Sequence, residues 1–458
     1  MISMATVSAV ASFQGLFSCM LCWMKVLLLV AGRSRRFWPL SEKSLFPVCG
    51  KPLIGHQIAR LREAGLTDIT LIGGDHNLDD IHALYPDLPV IRQENLDLGM
   101  QGALLSALPS CKSEPVLIVS ANDVIESFAY EELAKEAQKK NVDGVLLARK
   151  MKTYFTGGYL NVDGNRITGI VEKPGEGNEP SDLVNIVAHI HNDASILLAE
   201  LNKTTSNKDD AYEVALASLF ARHTYHAVPY TGDWQAVKYG WHLLHLLPLL
   251  LKDLTKADIH SSAVIHKTAV VEGNVILEEG VRILPHACVI GPAYIGRGTI
   301  VGNNALVRGA SIGKHCVVGY NTEVKGSVLA DHVWTHSTYL GDSVIGENVS
   351  FGAGCVTGNF RLDEHEIHSA DISGDGQLPT GLTKFGALIG DGCRVGIQVG
   401  MNPGVKIGKD SFIAGGLMLT EDVPDASFVR LKDGKNVATP NKTKAPHPKE
   451  REKYAKNI

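Results

Sequence analysis

The sequence predicts an α/β chain of two domains, in which a doubly wound domain is followed by a parallel β-helix of hexapeptide repeats. From residue 25 to about residue 226, short apolar runs alternate with amphipathic segments. This alternation is typical of a mostly parallel sheet covered by helices on both faces. From Ile259 onward, aliphatic residues recur at steps of six, a spacing that neither a helix nor an alternating strand produces.

The first domain contains apolar runs that we interpret as strands and amphipathic segments that we interpret as helices. The strands are predicted at Val26–Val30, Ile69–Ile72, Val116–Val119 and Val145–Leu147, and the helices at Leu53–Glu63 and Tyr130–Lys139. In doubly wound sheets, ligands bind beyond the carboxyl ends of the strands. We therefore expect chemistry in the loops that follow Val30 and Val119.

The second domain is defined by its six-residue period. Aliphatic residues keep this period without a break at Ile259, Ile265, Val271, Leu277, Ile283, Val289, Ile295, Val301 and Val307. Each turn of a parallel β-helix presents the same inward position once per side, so stacked aliphatic side chains fill one core. The pattern pauses over Phe360–Phe385 and resumes at Ile389, which predicts an insertion between two coils.

The composition narrows the classes of function. With 45% hydrophobic and 20% charged residues the chain has ordinary globular usage, which excludes wholesale disorder. A net charge of -5 provides no positive field for a phosphate polymer, so no nucleic acid partner is expected. The apolar stretch Trp241–Leu251 is too short to span a bilayer, so no membrane partner is expected either. The scattered cysteines show no paired zinc spacing and indicate reduced thiols of a cytoplasmic protein.

Both ends of the chain differ from the two domains. Residues 1–23 carry no Lys, Arg, Asp or Glu, so a signal peptide or membrane anchor is one interpretation. The lack of a preceding basic segment, and the strand that opens directly after Met24, favour translation that starts at Met24. We predict domains at 24–254 and 255–438, followed by a basic tail at 439–458 that is disordered or loosely docked.

A basic turn follows the first predicted strand. Residues 31–40 read Ala-Gly-Arg-Ser-Arg-Arg-Phe-Trp-Pro-Leu, and residues 42–52 read Glu-Lys-Ser-Leu-Phe-Pro-Val-Cys-Gly-Lys-Pro. A turn of small residues lets backbone N–H groups approach a phosphate, and the arginines and lysines can neutralise its charge. A basic surface loop without function is the alternative.

This stretch resembles the motif of the sugar-1-phosphate nucleotidylyltransferases, in which a Gly-rich loop precedes Leu-x-Pro-Val-x-Gly-Lys-Pro. The resemblance continues in order through the first domain. It implies Arg36 and Lys43 as catalytic residues at the triphosphate and Asp123 as the Mg²⁺ ligand. The nucleotide-binding residues that it implies are Ala31, Gly32, Gln93 and Gly99. The sugar-phosphate-binding residues that it implies are Gly158, Glu172, Lys173 and Asn185. The reaction so implied is an in-line attack on the nucleotide α-phosphorus, which depends on positioning and charge neutralisation.

One position departs from this family pattern in a way that bears on the metal. The family's second metal-binding Asp would stand at Ala236. A methyl group cannot ligate Mg²⁺, which takes oxygen ligands. The sequence therefore leaves open whether the first domain is active.

Polar residues interrupt the apolar coils of the predicted β-helix at Arg308, Lys325, His336, Tyr339 and Asn359. A lone histidine in a coil is ordinarily a structural, partly exposed residue. The series resembles the acetyltransferase half of the bifunctional N-acetylglucosamine-1-phosphate uridylyltransferases/glucosamine-1-phosphate acetyltransferases, in particular the archaeal-type form. By this resemblance His336 is the general base. Tyr339 and Asn359 orient the amino sugar, and Arg308 and Lys325 hold its phosphate.

The second resemblance also implies a left-handed β-helix, acetyl-CoA as co-substrate and a homotrimer. A single coil face is convex, so the cavity is expected between the β-helices of adjacent subunits. Together the motifs predict an enzyme that uses an NTP, with UTP favoured, and a sugar 1-phosphate, with N-acetylglucosamine 1-phosphate favoured. A non-catalytic scaffold or sensor subunit, and an acetyltransferase with an inactive first domain, are the alternatives.

Overall fold

The computed structural model describes residues 24–372 and 376–455. The interpretations of residues 1–23 therefore lie outside the described residues. The chain divides into two compact units. The first contains Ile54–Ala236 and the residues up to Arg33, and the second contains Ser34–Leu53 and the residues from Val237 onward.

The first unit is built on a mixed sheet flanked by helices. Its strands are β1 (Lys25–Leu29), β2 (Ile69–Gly73), β3 (Val90–Arg92), β4 (Val116–Ser120), β5 (Asp123–Ile125), β6 (Gly144–Lys150), β7 (Gly158–Asp163), β8 (Arg166–Glu172), β9 (Leu183–His191), β10 (Tyr225–Pro229) and β11 (Trp234–Ala236). Its helices are α1 (Leu53–Glu63), α2 (Leu78–Leu84), α3 (Gly99–Ala107), α4 (Phe128–Ala137), α5 (Ala194–Leu201) and α6 (Ala211–Phe220). All four predicted strands and both predicted helices are confirmed.

The strands of the main sheet follow the spatial order β3-β2-β1-β4-β9-β6-β10-β8-β7. The neighbours among β1 to β4 pair in parallel, as predicted. The prediction of a mostly parallel sheet is wrong for the other half, where β9 runs antiparallel to β4 and β6, and β8 antiparallel to β7 and β10. The reason at β7 and β8 is that only Gly164 and Asn165 connect them, and a two-residue connection permits antiparallel pairing alone.

The second unit is a parallel β-helix, as predicted. Its strands are β12 (Asp258–Ile259), β13 (Val264–Ile265), β14 (Val270–Glu272), β15 (Val275–Leu277), β16 (Arg282–Ile283), β17 (Cys288–Ile290), β18 (Ala293–Ile295), β19 (Ile300–Val301), β20 (Leu306–Arg308), β21 (Ser311–Ile312), β22 (Val317–Val318), β23 (Glu323–Lys325), β24 (Val328–Leu329), β25 (Tyr339–Gly341), β26 (Val344–Ile345), β27 (Ser350–Phe351), β28 (Val356–Thr357), β29 (His368–Ala370), β30 (Gln377–Pro379), β31 (Ala387–Ile389), β32 (Arg394–Val395), β33 (Gly400–Met401), β34 (Val405–Ile407), β35 (Phe412–Ile413), β36 (Met418–Leu419), β37 (Ser427–Lys432) and β38 (Lys435–Pro440). Strands of successive coils pair in parallel and so form three faces. The predicted insertion carries the antiparallel pair β29 and β30.

The aliphatic period forms the core of this β-helix. Ile283, Val289 and Ile295 are fully or almost fully buried in one continuous apolar cluster. Ile259 and Ile265, which belong to the same period, are 44% and 36% exposed. They lie on the first coil, which has no preceding coil to cover it.

The apolar stretch 241–251 forms α7 (His242–Lys252), which packs within the second unit rather than ending the first. His245 Nε2 lies 2.9 Å from the Thr380 carbonyl oxygen, and the Trp241 and Phe385 rings are 6.4 Å apart. Within the described part of the chain, no helix has the length and apolarity needed to cross a membrane.

The tail is predicted to be disordered or loosely docked, and its described part is docked on the second unit. Strand β38 pairs with β37, and Pro448–Ala455 forms a helix, α8. The Arg451 guanidinium lies 4.2 Å from the centroid of the Trp334 ring, and Arg282 Nη2 donates to the Ala455 carbonyl at 3.0 Å. The composition of the tail does not reveal the contacts of Arg451 and Ala455, because their partners Trp334 and Arg282 lie more than a hundred residues upstream.

Candidate active sites

Asp123 lies at the carboxyl end of a central strand, as predicted. It follows β4 and opens β5, which pairs antiparallel with β11 so that Asp123 stands directly opposite Ala236. Trp234 Nε1 donates to Asp123 Oδ1 at 3.0 Å. Directly opposed residues of an antiparallel pair have neighbouring side chains, so the position beside Asp123 holds a methyl group.

A buried glutamine holds the turn that carries Asp123. Gln57 of α1 is fully buried, and its Nε2 donates to the carbonyl oxygens of Ser120, at 3.2 Å, and of Asp123. Tyr130 OH donates to Gln57 Oε1 at 3.5 Å. Gln57 is not among the residues predicted from the sequence, although an amide among the apolar positions of an amphipathic helix is a signal for such a role.

The carboxylate at Asp123 fits one kind of metal binding only. Within the described residues, no group of three or more His, Cys, Asp or Glu side chains is arranged to hold a metal ion. Mg²⁺ is commonly held by one or two carboxylates, with substrate phosphates and water completing its shell. The residues present therefore fit an ion that arrives with a triphosphate and do not form an all-protein cage.

The predicted nucleotide loop is anchored by a buried asparagine. Ala31 and Gly32 follow β1, where the Val30 carbonyl accepts from Asn77 Nδ2 at 2.8 Å. Asn77 Oδ1 in turn accepts from the Gly74 N–H at 3.1 Å. A Cβ added at Gly32 meets no atom within 4 Å. The loop is thus held at Val30 and open at Gly32, and Asn77 is a second residue that the sequence analysis missed.

Gln93 and Gly99, the other two predicted nucleotide-binding residues, lie together, and their contact with a nucleotide stays a prediction. Gln93 is 4% exposed, and its Nε2 donates to the carbonyl oxygens of Asn95 and Gly99, each at 2.8 Å. Gly99 has a φ of 51°, and a Cβ there would lie 2.5 Å from Asp209 Oδ1. The structure therefore shows Gln93 shaping the loop that requires glycine at position 99.

Three of the predicted sugar-phosphate residues also lie together. Gly158 and Glu172 are directly paired across β7 and β8, and a Cβ at Gly158 would approach Glu172 Oε2 to 3.1 Å. Lys173 Nζ lies 3.1 Å from Glu172 Oε1. The Lys173 backbone N–H donates to the Gly157 carbonyl at 3.1 Å, with φ at 46°, a conformation uncommon for a residue with a side chain.

Asn185, the fourth of these residues, stands at the end of a buried hydrogen-bonded chain. Its Oδ1 lies 2.8 Å from His189 Nε2, and His189 Nδ1 lies 2.8 Å from Tyr212 OH. The same hydroxyl lies 3.2 Å from His191 Nε2, and His191 Nδ1 lies 2.8 Å from Tyr225 OH. Burial lowers the pKa of His191 to about 3. Burial, and then the neighbouring His191, hold the pKa of His189 well below its ordinary value.

Glu213 is a titratable residue beside this group that the sequence did not single out. It lies in the first turn of α6. Burial, and then the charge of Glu172, raise the pKa of Glu213 to about 7, against an opposing effect of Lys173. Glu213 therefore changes its charge near neutral pH.

Arg36 and Lys43 lie in the segment Ser34–Leu53, which belongs to the second unit. Arg36 is exposed, whereas Lys43 is 9% exposed in the short turn Lys43–Leu45. The Glu42 carboxylate organises this segment by accepting from Ser34 Oγ at 3.1 Å and from the Ser44 N–H at 3.2 Å. Their part in triphosphate binding stays a prediction.

The predicted acetyltransferase residues line one face of the β-helix. Strands β20, β23, β25 and β28 stack in parallel on this face. Their register places Arg308 beside Lys325, and Glu323 beside Tyr339. The structure thus brings together Arg308, Lys325 and Tyr339, whose positions in the sequence are 17 and 14 residues apart.

Asp342 connects three of the predicted residues. Its Oδ2 accepts from Lys325 Nζ at 2.8 Å and from Asn359 Nδ2 at 2.5 Å. Asn359 Nδ2 also lies 3.3 Å from Tyr339 OH. Gly341 leaves space for this cluster, since a Cβ there would lie 2.5 Å from Tyr339 OH and 2.7 Å from Asn359 Nδ2. Asp342 is not among the site residues predicted from the sequence.

His336 lies at the corner that precedes this cluster. Its side chain is exposed, and within the described residues its ring makes no hydrogen bond. Its carbonyl accepts from Thr338 Oγ1 at 2.9 Å. The corner is close-packed at Gly319, where a Cβ would lie 2.1 Å from the Thr335 carbonyl oxygen. The imidazole is thus accessible, and its role as a base stays a prediction.

Two family models match successive parts of the chain. A model of the family described as nucleotidyl transferase matches residues 25–237, and one described as hexapeptide repeat of succinyl-transferase matches residues 292–325 and 386–421. An apo-UDP-glucose pyrophosphorylase structure is similar over 50% of this chain and 99% of its own, at 19% identity and a TM-score of 0.44.

The fold and the two sets of residues define a nucleotidyltransferase domain joined to a hexapeptide-repeat β-helix. A Sulfurisphaera tokodaii protein named bifunctional sugar-1-phosphate nucleotidylyltransferase/acetyltransferase is 30% identical over 416 residues, which are 89% of this chain and 100% of that protein. Bifunctional protein GlmU of Methanococcus maripaludis is 30% identical over 439 residues, 90% of this chain and 98% of that one. The chain belongs to the family of bifunctional sugar-1-phosphate nucleotidylyltransferase/acetyltransferases.

Ala236→Asp should create a stronger divalent-cation site. Two carboxylates that face each other across a strand pair repel each other when no metal ion is bound. When Mg²⁺ is bound, both can contribute oxygen ligands to it. We expect Mg²⁺ to raise the Tm of Ala236→Asp more than that of the wild type, measured by differential scanning fluorimetry with and without nucleotide. Ala236→Asn is the control of equal size without charge. Equal Mg²⁺ responses of all three proteins would contradict the proximity of the two positions.

Glu213→Gln should stabilise the protein at high pH only. The folded pKa of about 7 lies above the ordinary 4.5, so stability is lost as Glu213 ionises between about pH 4.5 and pH 7. Glutamine keeps the neutral form at every pH. We expect the free energy of unfolding of the variant to exceed that of the wild type by about 1 to 3 kcal/mol at pH 8, with the difference vanishing near pH 4.5. A constant difference across urea titrations at these pH values would show that Glu213 is not buried in this way.

Proposed function

We propose that the first unit transfers a nucleotidyl group from an NTP to a sugar 1-phosphate and that the β-helix transfers an acetyl group to a hexosamine 1-phosphate. The favoured substrates are UTP with N-acetylglucosamine 1-phosphate, and acetyl-CoA with glucosamine 1-phosphate. The observation that carries the proposal is that a relative named for both activities matches 89% of this chain and all of its own length. The grouping of Gly158, Glu172 and Lys173 in the first unit and of Lys325, Tyr339 and Asn359 in the second supports it.

In the first reaction, a phosphate oxygen of the sugar 1-phosphate attacks the α-phosphorus of the NTP. The bond to the β-phosphate oxygen breaks, and pyrophosphate leaves with its electron pair. Lys173 and Asn185 hold the acceptor, and Arg36 and Lys43 neutralise the triphosphate. Asp123 would bind Mg²⁺, which supplies further charge neutralisation when bound.

In the second reaction, the amine nitrogen of the hexosamine attacks the thioester carbonyl of acetyl-CoA. His336 accepts a proton from that nitrogen, and the thiolate of CoA leaves. Lys325 and Arg308 hold the sugar phosphate. Tyr339 and Asn359 orient the sugar, supported by the contacts of Asn359 and Lys325 with Asp342.

The proposal extends to assembly and location. Because the polar face lies on the outside of the coils, we propose a homotrimer in which a neighbouring subunit closes the second site. We also propose a cytoplasmic location. It is supported by the free thiols of the described cysteines, Cys49, Cys111, Cys288, Cys316, Cys355 and Cys393, because unpaired cysteines are typical of reducing compartments.

Two other candidates are an acetyltransferase with an inactive first unit and a non-catalytic scaffold or sensor subunit. The observation that favours both is Ala236, which stands directly opposite Asp123 and adds no oxygen ligand. The candidates differ in their products, since only the first proposal yields pyrophosphate and a scaffold yields neither pyrophosphate nor CoA.

A substrate panel separates these candidates. The purified protein is incubated with Mg²⁺, each NTP in turn and a set of hexose and hexosamine 1-phosphates while pyrophosphate is measured. Acetyl-CoA with glucosamine 1-phosphate is assayed in parallel for CoA release. We expect both products, with UTP and N-acetylglucosamine 1-phosphate preferred in the first assay. CoA release without pyrophosphate for any pair would favour an inactive first unit, and the absence of both products would favour the scaffold.

His336→Ala should abolish acetyl transfer and leave nucleotidylyl transfer unchanged. The expected loss of CoA release is at least about a hundredfold, the usual contribution of a general base. His260→Ala is the matched control, because His260 is also an exposed histidine of the β-helix but lies at the first coil. Acetyl transfer that survives in His336→Ala would remove this residue from its assigned role.

A further inference from the structure

The buried chain behind Asn185 has a role that the site residues alone do not reveal. We infer that Tyr225, His191, Tyr212 and His189 position Asn185, holding its amide with the nitrogen outward as a hydrogen-bond donor to an oxygen of the sugar phosphate. The inference rests on the proposed function, in which Asn185 binds the sugar phosphate. It makes His189 a positioning residue for the first reaction.

His189 also interacts with the Ile186 backbone, which raises the pKa of His189 against the larger effect of burial. If every contact from Asn185 to Tyr225 is a hydrogen bond, the series can run in only two directions. An amide oxygen accepts and an amide nitrogen donates, and a neutral imidazole has one donor and one acceptor nitrogen. If Asn185 Oδ1 accepts from His189 Nε2, then His189 Nδ1 accepts from Tyr212 OH. The Tyr212 oxygen then accepts from His191 Nε2, and His191 Nδ1 accepts from Tyr225 OH. The second arrangement reverses every one of these bonds and turns the amide oxygen outward.

The Tyr225 end of the chain distinguishes the two arrangements. Tyr225 is 2% exposed, and within the described residues the hydrogen-bond partner of its hydroxyl is His191 Nδ1 alone. In the first arrangement the hydroxyl donates to that nitrogen. In the second it accepts from it, and its own hydrogen is left buried without an acceptor. Buried donors without partners are rare and costly, so the first arrangement is favoured.

The other end of the chain agrees with this direction. Within the described residues, Asn185 Nδ2 has no hydrogen-bond partner. This nitrogen is not fully buried, because among the described residues the fully buried polar atoms without a partner are other atoms. The amide nitrogen of Asn185 therefore keeps some exposure to solvent. From there it can donate to a ligand oxygen.

The four histidine and tyrosine side chains behind Asn185 are neutral, as both hydrogen-bond arrangements require. Both arrangements need neutral histidines, and burial lowers the pKa of His189 and of His191. Burial likewise raises the pKa of Tyr212 and of Tyr225, so both hydroxyls keep their protons. The carboxylates whose charges act on these side chains are Glu213, which raises the pKa of Tyr212, and Asp143 and Asp193, which raise the pKa of Tyr225. None of them makes a hydrogen bond to the described imidazole nitrogens.

The kinetic test uses the pyrophosphate assay on the full chain. His189→Leu removes the donor to Asn185 Oδ1 at similar volume, and His189→Gln keeps an amide donor. We expect His189→Leu to raise the KM for the sugar 1-phosphate about tenfold, with kcat and the KM for the NTP within about twofold of the wild type. His189→Gln should recover most of the loss. Tyr212→Phe, which cuts the chain one step further back, should raise the same KM by a smaller factor.

The spectroscopic test reads the direction of the chain in the unaltered protein. In wild type labelled with ¹⁵N at histidine, long-range proton–nitrogen correlations identify which ring nitrogen carries hydrogen. His189→Gln and His191→Gln assign the two signals by their disappearance. We expect both rings to carry hydrogen on Nε2 and to show no titration between pH 5 and pH 8.

The outcomes separate this inference from the proposed function. A wild type that releases no pyrophosphate would overturn the function, while the NMR experiment would still decide the direction of the chain. An active wild type with hydrogen on Nδ1 of both rings, or with His189→Leu at unchanged KM, would overturn the inference alone.

Discussion

The in-register parallel pairing of successive coils is the constraint on which the second unit depends. It places Val289, Val307, Val324 and Leu340 one above another in the core. The same backbone register fixes the outward column. Because neighbouring residues of a strand face opposite sides, Arg308 and Lys325 are adjacent on the surface for the same reason that Val307 and Val324 are adjacent inside. The polar face is therefore a consequence of the core.

In the first unit, too, the contacts that stabilise the fold also position the candidate site residues. Ala31, Gly32 and Asp123 stand in the turns that follow β1 and β4, where some backbone groups are not paired within the sheet. Buried amides satisfy these groups: Gln57 at the Asp123 turn and Asn77 at the Val30 carbonyl. Asn185 is supported in turn by a chain of neutral buried side chains. Unpaired buried polar groups are costly, so these contacts stabilise the turns that follow β1 and β4.

Much of this could be predicted from the sequence, for physical reasons. A six-residue aliphatic period has one structural explanation, so the β-helix followed directly from residues such as Ile283 and Val289. Asp123 could be placed because it follows an apolar strand. The direction of β9 could not, because an apolar pattern does not encode whether a strand runs parallel to its neighbour. The tail helix depends on the ring of Trp334, a partner that composition does not reveal.

The residues missed at the sites share a cause. Asp342, Gln57 and Glu213 matter through partners that the fold brings to them from elsewhere in the chain. Sequence motifs mark groups that touch substrate. They do not mark the groups that hold those side chains, because several residue types can do so from several positions.

The most direct test of the proposed two activities is a single incubation of the full chain with glucosamine 1-phosphate, acetyl-CoA, UTP and Mg²⁺. The release of CoA and of pyrophosphate is measured over time in the same sample. Acetylation of the amine releases one CoA, and nucleotidylyl transfer to the acetylated product then releases one pyrophosphate. The account predicts that both products form, that pyrophosphate lags behind CoA, and that its final amount approaches that of CoA when UTP is in large excess. Release of neither product, with substrates at millimolar concentration and a folded protein, would contradict the assignment of this chain as a bifunctional enzyme.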